Sequence, residues 1–230
     1  MSAKVIVSYD DTPNDQDAVA LARRFQDAGA TVSLAYVRHF READRERELQ
    51  QEREAHALLE HGANLLGDPG AERHVVLNAS TGDGLLALAE REYADIVVFG
   101  SDYHTAAGSI SPLTSTRRLL DGGPAAVAIA PAGYRDSGES IVTIAVSPGP
   151  DDPSAAETAR ALAARSGAVV AAADERSPDL LVLGSRAEAP HGSVLLSALA
   201  EYSIDLASCP VLVVPRGVAL PFAEPATLTA

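Results

Sequence analysis

The sequence predicts an α/β protein that contains two parallel-sheet domains, a complete first copy and a smaller second copy. An apolar run that starts with aspartate and ends in Gly-Ser occurs twice, at residues 95–101 and 179–185. In both copies, 31 positions separate the glycine of this run from a proline that ends another apolar run, Pro131 or Pro215. Because two dissimilar segments keep one spacing between strand-like runs, they indicate an internal repeat.

Strands and helices alternate through the first copy, which we place at residues 1–133. Short apolar runs predict five strands, at residues 5–9, 31–37, 74–79, 95–99 and 126–130. Apolar residues at helical spacing predict helices at residues 13–28, 55–66, 84–93 and 113–120. This alternation implies a five-stranded parallel sheet with helices on both faces.

Residues 38–54 are rich in Arg and Glu and allow two interpretations. The plainer one is a solvated helix or mobile arm held by pairs of opposite charge at i,i+4 spacing. The other is an arm that binds a protein partner.

The second copy, which we place at residues 140–217, is shorter in its middle, because its offset from the first copy falls from 137 to 84 positions. We expect three core strands, near residues 141, 179 and 210, and a helix at residues 153–165. Residues 168–176 could form a strand, but the five residues 174–178 are fewer than the dozen or so that a parallel crossover needs. We therefore interpret 168–176 as the remnant of a helix, and we expect residues 218–230 to be a loose tail.

Composition argues against several classes of function. The formal charge of −14 disfavours nonspecific binding to nucleic acid or to an anionic membrane. Lys4 is the only lysine and Cys209 the only cysteine, which excludes an intrachain disulfide and disfavours a P-loop and a cysteine-rich zinc site. No apolar run approaches the roughly 20 residues that span a bilayer, and the first residues show no signal-peptide pattern. We expect a soluble cytoplasmic protein.

The carboxyl ends of the first-copy strands are the natural place for a ligand. In doubly wound sheets, ligands lie beyond these ends, where the strand order reverses. Asp10, Val37 and Gly100 follow or end three of the strands. The loop after Gly100 contains several hydroxyl side chains and leads into a helix, and loop amides with a helix N-terminus can bind an anion.

These residues resemble the universal stress protein superfamily. The matching elements are the segment 5–13 with its Asp10-Asp11-Thr12-Pro13 end, the strand 95–100 followed by Ser101, and a last strand that ends in a proline. The resemblance covers about residues 3–132 and, in truncated form, 140–216. It implies two flavodoxin-like (Rossmann-like) domains that pair through their last strands, so that residues 126–130 meet 211–214 and the chain forms a pseudo-dimer.

The resemblance also implies a site for an adenine nucleotide, with ATP as the cofactor. Family members that bind ATP carry G-x2-G-x9-G-[S/T] after the fourth strand. In this chain the three glycine positions fall on Gly100, Tyr103 and Leu113, so two glycines are replaced. The residues that the resemblance places in the site are Asp10, Val37, Phe99, Gly100, Thr114 and Ser115. In the second copy Ser147 takes the place of Asp10, and we expect no nucleotide there.

Two smaller patterns also allow two interpretations each. Gly-Ser occurs eight positions after the strand glycine in both copies, at 108–109 and 192–193, and could form an anion-binding nest or a plain turn. His104 and His191 lie in corresponding loops and could share a metal, but no other ligand spacing supports this.

Two hypotheses of function follow. In the first, the protein is a stress-response protein that binds no ATP strongly and acts through a protein partner or as a scaffold. In the second, the first copy binds an adenine nucleotide through Asp10, Gly100 and Thr114, with at most weak hydrolysis. No catalytic residue and no metal ligand are predicted, and the sequence leaves homodimerisation open.

Overall fold

The computed structural model describes residues 2–136, 140–172 and 178–222, and over these residues it contains nine strands and six α-helices. The strands are β1 (Lys4–Ser8), β2 (Thr31–Arg38), β3 (Glu72–Leu77), β4 (Ile96–Phe99), β5 (Ala126–Ile129), β6 (Thr143–Ser147), β7 (Val169–Ala172), β8 (Leu180–Gly184) and β9 (Val211–Val214). The α-helices are α1 (Pro13–Asp27), α2 (Arg45–Leu66), α3 (Thr81–Glu92), α4 (Thr114–Leu120), α5 (Ser154–Ser166) and α6 (Ala198–Leu206). The α/β class predicted from the sequence is confirmed.

All nine strands form one sheet in the order β3-β2-β1-β4-β5-β9-β8-β6-β7. Pairing is parallel within each half of the sheet. The halves meet where β5 pairs with β9 in antiparallel register, with Ala128 opposite Leu212. The predicted meeting of residues 126–130 with 211–214 is therefore confirmed, and the two halves share a single continuous sheet.

The sheet separates two apolar cores. Alternate side chains of β1 illustrate this, since Val5 and Val7 face one core and Ile6 faces the other. Helices α1, α2 and α5 cover the first face, and α3, α4 and α6 cover the second. The central strands are apolar on both sides because both sides are covered by helices.

Helix α2 begins ten residues before the predicted docking segment. Its N-cap is Asp44, whose side chain accepts hydrogen bonds from two backbone amides of the first turn. The first turns are tied to the end of β2, because the buried guanidinium of Arg38 lies 2.7 Å from Glu48 and also donates to Gln51. This geometry agrees with a charged helix on the surface. No helix in the described segments is long and apolar enough to cross a membrane.

The expectation of a helical remnant at residues 168–176 is wrong for residues 169–172. These residues form β7, which pairs in parallel with β6, so the second half has four strands rather than three. Residues 173–176 lie outside the described residues. The expectation of a dozen residues describes the usual helical crossover, and the reach of an extended chain does not require that length. Seven residues separate Ala172 from Leu180. Extended, they span roughly 23 Å, enough to pass one neighbouring strand at about 4.8 Å spacing and return along a short one.

The start of the predicted loose tail is packed. The backbone amide of Leu220 donates to Thr158 of α5 over 3.0 Å. The ring of Phe222 is buried, 6.1 Å from the ring of Phe25 in α1. These contacts fix residues 220–222 on the first face of the sheet, whereas residues 223–230 lie outside the described residues.

The thiol of Cys209 provides a test of the packing on the second face of the sheet. It is buried just before β9, and burial raises its pKa to about 11. Because the thiolate is the reactive form, we expect native protein at pH 8 to react with iodoacetamide on the order of a hundredfold more slowly than protein unfolded in guanidinium, where the thiol pKa is about 8.5. Mass spectrometry of timed samples measures both rates. Equal rates would show that Cys209 is not held in this environment.

Candidate functional site

The candidate site of the first half lies where the strand order of the sheet reverses. Strand β1 is paired with β2 on one side and with β4 on the other, all in parallel. Asp10 follows β1 and Gly100 follows β4, so these two residues flank the reversal. The topology thus brings the ends that carry Asp10, Val37 and Gly100 to one edge, which is where doubly wound sheets bind their ligands.

The turn between β1 and α1 is fixed by the first turn of the helix. The carboxylate of Asp15 accepts hydrogen bonds from the backbone amides of Asp10 and Thr12, both over 3.0 Å. Thr12 in return caps the helix. Between them, Asp11 adopts a left-handed backbone with φ of 57°. These contacts hold Asp10 at a defined position at the edge of the sheet.

The side chain of Asp10 is exposed and available to a ligand. In the described part of the chain, no hydrogen bond or ion pair engages its carboxylate. Desolvation by the surrounding protein raises its pKa, the charge of Asp11 adds to this, and His39 at the end of β2 opposes it. A carboxylate held without a partner at a strand-order reversal is a candidate ligand contact.

Gly100 is required by packing. A Cβ at this position would lie 2.0 Å from the backbone carbonyl oxygen of Asn14 in α1. The second half repeats the arrangement, since a Cβ on Gly184 would lie 2.2 Å from the backbone nitrogen of Gly149. Neither Gly100 nor Gly184 has a positive φ. The missing side chain therefore lets the end of β4 approach α1, and the end of β8 approach the turn after β6, at a distance that a Cβ would not allow.

The serine after each of these glycines joins two strand ends. The hydroxyl of Ser101 is buried and donates to the carbonyl of Ala130 over 2.8 Å. Ser185 donates in the same way to Val214, also over 2.8 Å. The repeated Gly-Ser pattern is thus a structural brace in both halves.

The interpretation of residues 108–109 and 192–193 as an anion nest is wrong, and the turn interpretation is confirmed. Gly108 and Gly192 have φ values of 77° and 78°. All four amides already donate to backbone carbonyls: Gly108 to Ala132, Ser109 to Ala106, Gly192 to Arg216 and Ser193 to Pro190. Amides that are paired in this way are not free to bind an anion.

The two predicted wall residues of the adenine pocket are buried in this structure. Val37 is 6% exposed and Phe99 is 1% exposed, and both belong to the core on the second face of the sheet. Val37 packs closely on α3, because a Cβ on Gly84 would lie 3.0 Å from its side chain. The assignment of these two residues to a ligand stays a prediction.

Thr114 and Ser115 line a hollow of about 350 Å³ together with the start of α3. The other wall is Ser80–Thr81–Gly82, and Arg118 closes one side while its guanidinium lies 2.7 Å from Asp83. Leu113, at the N-cap of α4, provides no capping hydrogen bond. Sequence reasoning did not predict that residues 80–82 and Arg118 line this hollow, because only the fold brings the starts of α3 and α4 together.

A cavity of about 500 Å³ lies at the corresponding edge of the second half. Its walls are the turn 147–150, the segment 183–188 and the start of α6 at 197–200. Strand register gives a correction here. Val7 pairs with Val98 and Val146 with Val182, so the residue at the position of Asp10 is Gly149 rather than Ser147. The turn after β6 therefore has no carboxylate at the position of Asp10.

The described residues contain no group of three or more His, Cys, Asp or Glu side chains placed to hold a metal ion. The ring of His104 stacks on Tyr103 at 3.8 Å between centroids. The ring of His191 lies against Gly217, where a Cβ would come within 2.5 Å of it. His104 is thus packed on its own loop, and His191 on the segment that follows β9.

Comparison with known proteins agrees with these observations. The model of the universal stress protein family matches residues 1–128 and 165–215. A sequence search of curated proteins finds no match.

Two solved structures are similar over nearly the whole chain. A universal stress protein from Archaeoglobus fulgidus DSM 4304 is 14% identical with a TM-score of 0.61, over 94% of this chain and 100% of that one. A protein from Pseudomonas aeruginosa UCBPP-PA14, described as a universal stress protein, is 13% identical with a TM-score of 0.62, over 93% of each chain. A universal stress protein in complex with cAMP is 21% identical over 42% of this chain and 70% of that one, with a TM-score of 0.34. At these identities the similarity to solved structures shows the fold alone.

The packing role of Gly100 gives a testable prediction. We expect Gly100→Ala to lower the free energy of unfolding by about 1–3 kcal/mol, because its Cβ would collide with backbone atoms that cannot move aside. Gly70→Ala is the matched control, since the nearest atom to its Cβ would be a side-chain oxygen of Asp68 at 3.4 Å, an ordinary contact distance. Urea unfolding of both variants measures the difference. An unchanged free energy of unfolding in Gly100→Ala would refute the packing role.

Proposed function

Because the chain belongs to the universal stress protein family, we propose that it acts in the stress response through a protein partner and holds no ATP strongly. The observation that carries this proposal is that Gly100, the one glycine that remains of the G-x2-G-x9-G pattern, is required for packing. Gly100 serves the packing of β4 against α1, and the other two glycine positions are Tyr103 and Leu113. Without glycine at these two positions, side chains occupy the space through which the loop backbone would approach a triphosphate.

Other contacts support the same proposal. The amides of the downstream Gly-Ser turn are used by backbone carbonyls. The side chains that would contact an adenine, Val37 and Phe99, are buried in the core. Opening a pocket at these positions would require the core to rearrange, which is costly in a closely packed interior.

The second half is proposed to act mainly as a scaffold. All four residues of β5 are fully buried, and β9 pairs with the edge that β5 would otherwise expose. An uncovered apolar edge strand invites aggregation. We propose residues 1–133 and 140–217 as the two units. The cytoplasmic location and a further homodimer stay predictions.

The second candidate function is binding of an adenine nucleotide, with at most weak hydrolysis. The unpartnered carboxylate of Asp10 favours it, and so does the hollow at Thr114 and Ser115. Hydroxyls and a helix start offer hydrogen bonds to an anion, and Arg118, which is ion-paired with Asp83, borders the same hollow.

Nucleotide content separates the two candidates. We expect freshly purified protein, once denatured, to release far less than one adenine nucleotide per chain by chromatography. Calorimetric titration with ATP should give a Kd weaker than about 1 mM. Asp10→Ala should not change this result, and Asp27→Ala is the control for removal of an exposed aspartate elsewhere.

The opposite result has a clear meaning. Nucleotide near one per chain, with affinity that falls over tenfold in Asp10→Ala and not in Asp27→Ala, would establish the second candidate and exclude the first.

A further inference from the structure

Helix α6 carries a row of exposed apolar side chains on its outer face. Leu199, Tyr202 and Leu206 are 66%, 61% and 66% exposed. Their spacing of three and four residues places them on one side of the helix. We call these three residues the α6 ridge. Residues on the opposite side, Ala200 and Ile204, are buried against the sheet.

In the first half, a helix covers the positions that correspond to this ridge. A Cβ on Gly82 of α3 would lie 2.8 Å from the Cβ of Arg118 and 3.2 Å from the Cα of Ser115. These two α4 positions therefore face α3. The internal repeat places Leu199 and Tyr202 84 positions after Ser115 and Arg118, so the ridge stands where the first half seats a helix.

The second half has no room for a counterpart of α3. Only residues 173–179 connect β7 to β8, whereas α3 alone has 12 residues. At the vacated positions, Ser115 and Arg118 of the first half are replaced by leucine and tyrosine. The missing helix thus leaves a seat whose side chains are apolar, and exposed apolar rows of this kind mark interaction sites.

The seat continues into a cavity. Leu199 and Ala200 line the space of about 500 Å³ at the carboxyl edge of β8. A groove beside an apolar row allows a docked helix to bury an anchoring side chain, which is how grooves bind amphipathic helices.

Charge indicates the chemistry of the occupant. Glu201 and Asp205 are exposed on α6 beside the ridge, and in the described residues neither forms an ion pair. Arginines 117, 118 and 186 line the other side of the groove that these carboxylates border, but α6 itself carries only negative charge and the whole chain is at −14. A helix with basic flanks complements this surface. The α6 helix of a second copy would bring two more carboxylates and no basic residue.

The end of this chain does not match that description. Phe222 packs on α1, on the face of the sheet opposite to α6. Residues 223–230 contain a glutamate, a proline and no basic residue. A partner helix is therefore the better match.

We infer that the α6 ridge is a docking site for an amphipathic helix of a partner protein, with an apolar stripe and basic flanks, seated on α6 as α3 is seated on α4. The inference rests on the proposed function, which is action through a protein partner, and it names the surface that binds this partner and the kind of helix that docks there.

Binding of a model helix tests this inference. The probe is a fluorescein-labelled peptide of about 15 residues with leucines along one helical face and lysines elsewhere. By fluorescence anisotropy we expect wild-type protein to bind it with a Kd of about 10 μM. Leu199→Ser with Tyr202→Arg, which restores the residues of the first half, should weaken binding by at least about tenfold. Leu49→Ser with Tyr93→Arg makes the same changes at exposed positions elsewhere and should leave binding unchanged.

Four results would overturn the inference. The first three are no binding of the peptide by wild-type protein, equal weakening in both double variants, and equal binding of a peptide with glutamates in place of lysines. The fourth is a concentration-dependent dimer in sedimentation velocity that only the ridge variant abolishes, because the ridge would then contact a second copy. Circular dichroism checks that both variants are folded.

The outcomes are distinguishable from those of the nucleotide experiment. A failure of peptide binding in protein that holds no nucleotide refutes the docking site alone. Peptide binding by protein that holds one nucleotide per chain refutes the proposed absence of ATP alone.

Discussion

The pairing of β5 with β9 is the constraint on which the rest of the structure depends. It joins two parallel half-sheets into one sheet of nine strands and places the last strand of each half, β5 and β9, near the middle of that sheet. Each half alone would expose a four-residue apolar strand with unpaired backbone groups. Because this edge is the last strand of each half, the second half must retain β9 and its neighbours even where other elements are lost.

A Gly-Ser pair holds the end of β4 in the first half and the end of β8 in the second half. A glycine ends β8 and follows β4 at a point where backbone segments touch, and the next serine donates to the end of the neighbouring strand. In the first half, this brace uses the only glycine that remains of the nucleotide motif. Packing therefore explains why the pattern persists in a half-sheet whose turn carries no carboxylate at the position of Asp10.

In the part of the chain that the structure describes, the second half has no counterpart of β3 or α3, and this affects both the edge of the sheet and the surface of α6. The sheet ends at β7, a strand of small and branched apolar residues, and within the described residues no helix is seated on α6 as α3 is seated on α4. In the first half, α3 covers α4 and contributes leucines to the core. The second half instead leaves apolar side chains of α6 in solvent, a state that favours contact with another molecule.

The sequence by itself determined the α/β class and the internal repeat, and the family resemblance that it carries implied that the last strands meet. The antiparallel direction of that pairing came from the structure. Buried strands read as continuous apolar runs, and a repeated spacing is visible without coordinates. Only the tertiary structure decided that residues 169–172 form a strand, that the turn amides are paired, and that Val37 and Phe99 are buried. It alone showed that Gly149 stands at the position of Asp10 and that the α6 ridge is uncovered. These features depend on strand register and on which segments touch across the fold, and a one-dimensional pattern does not contain either.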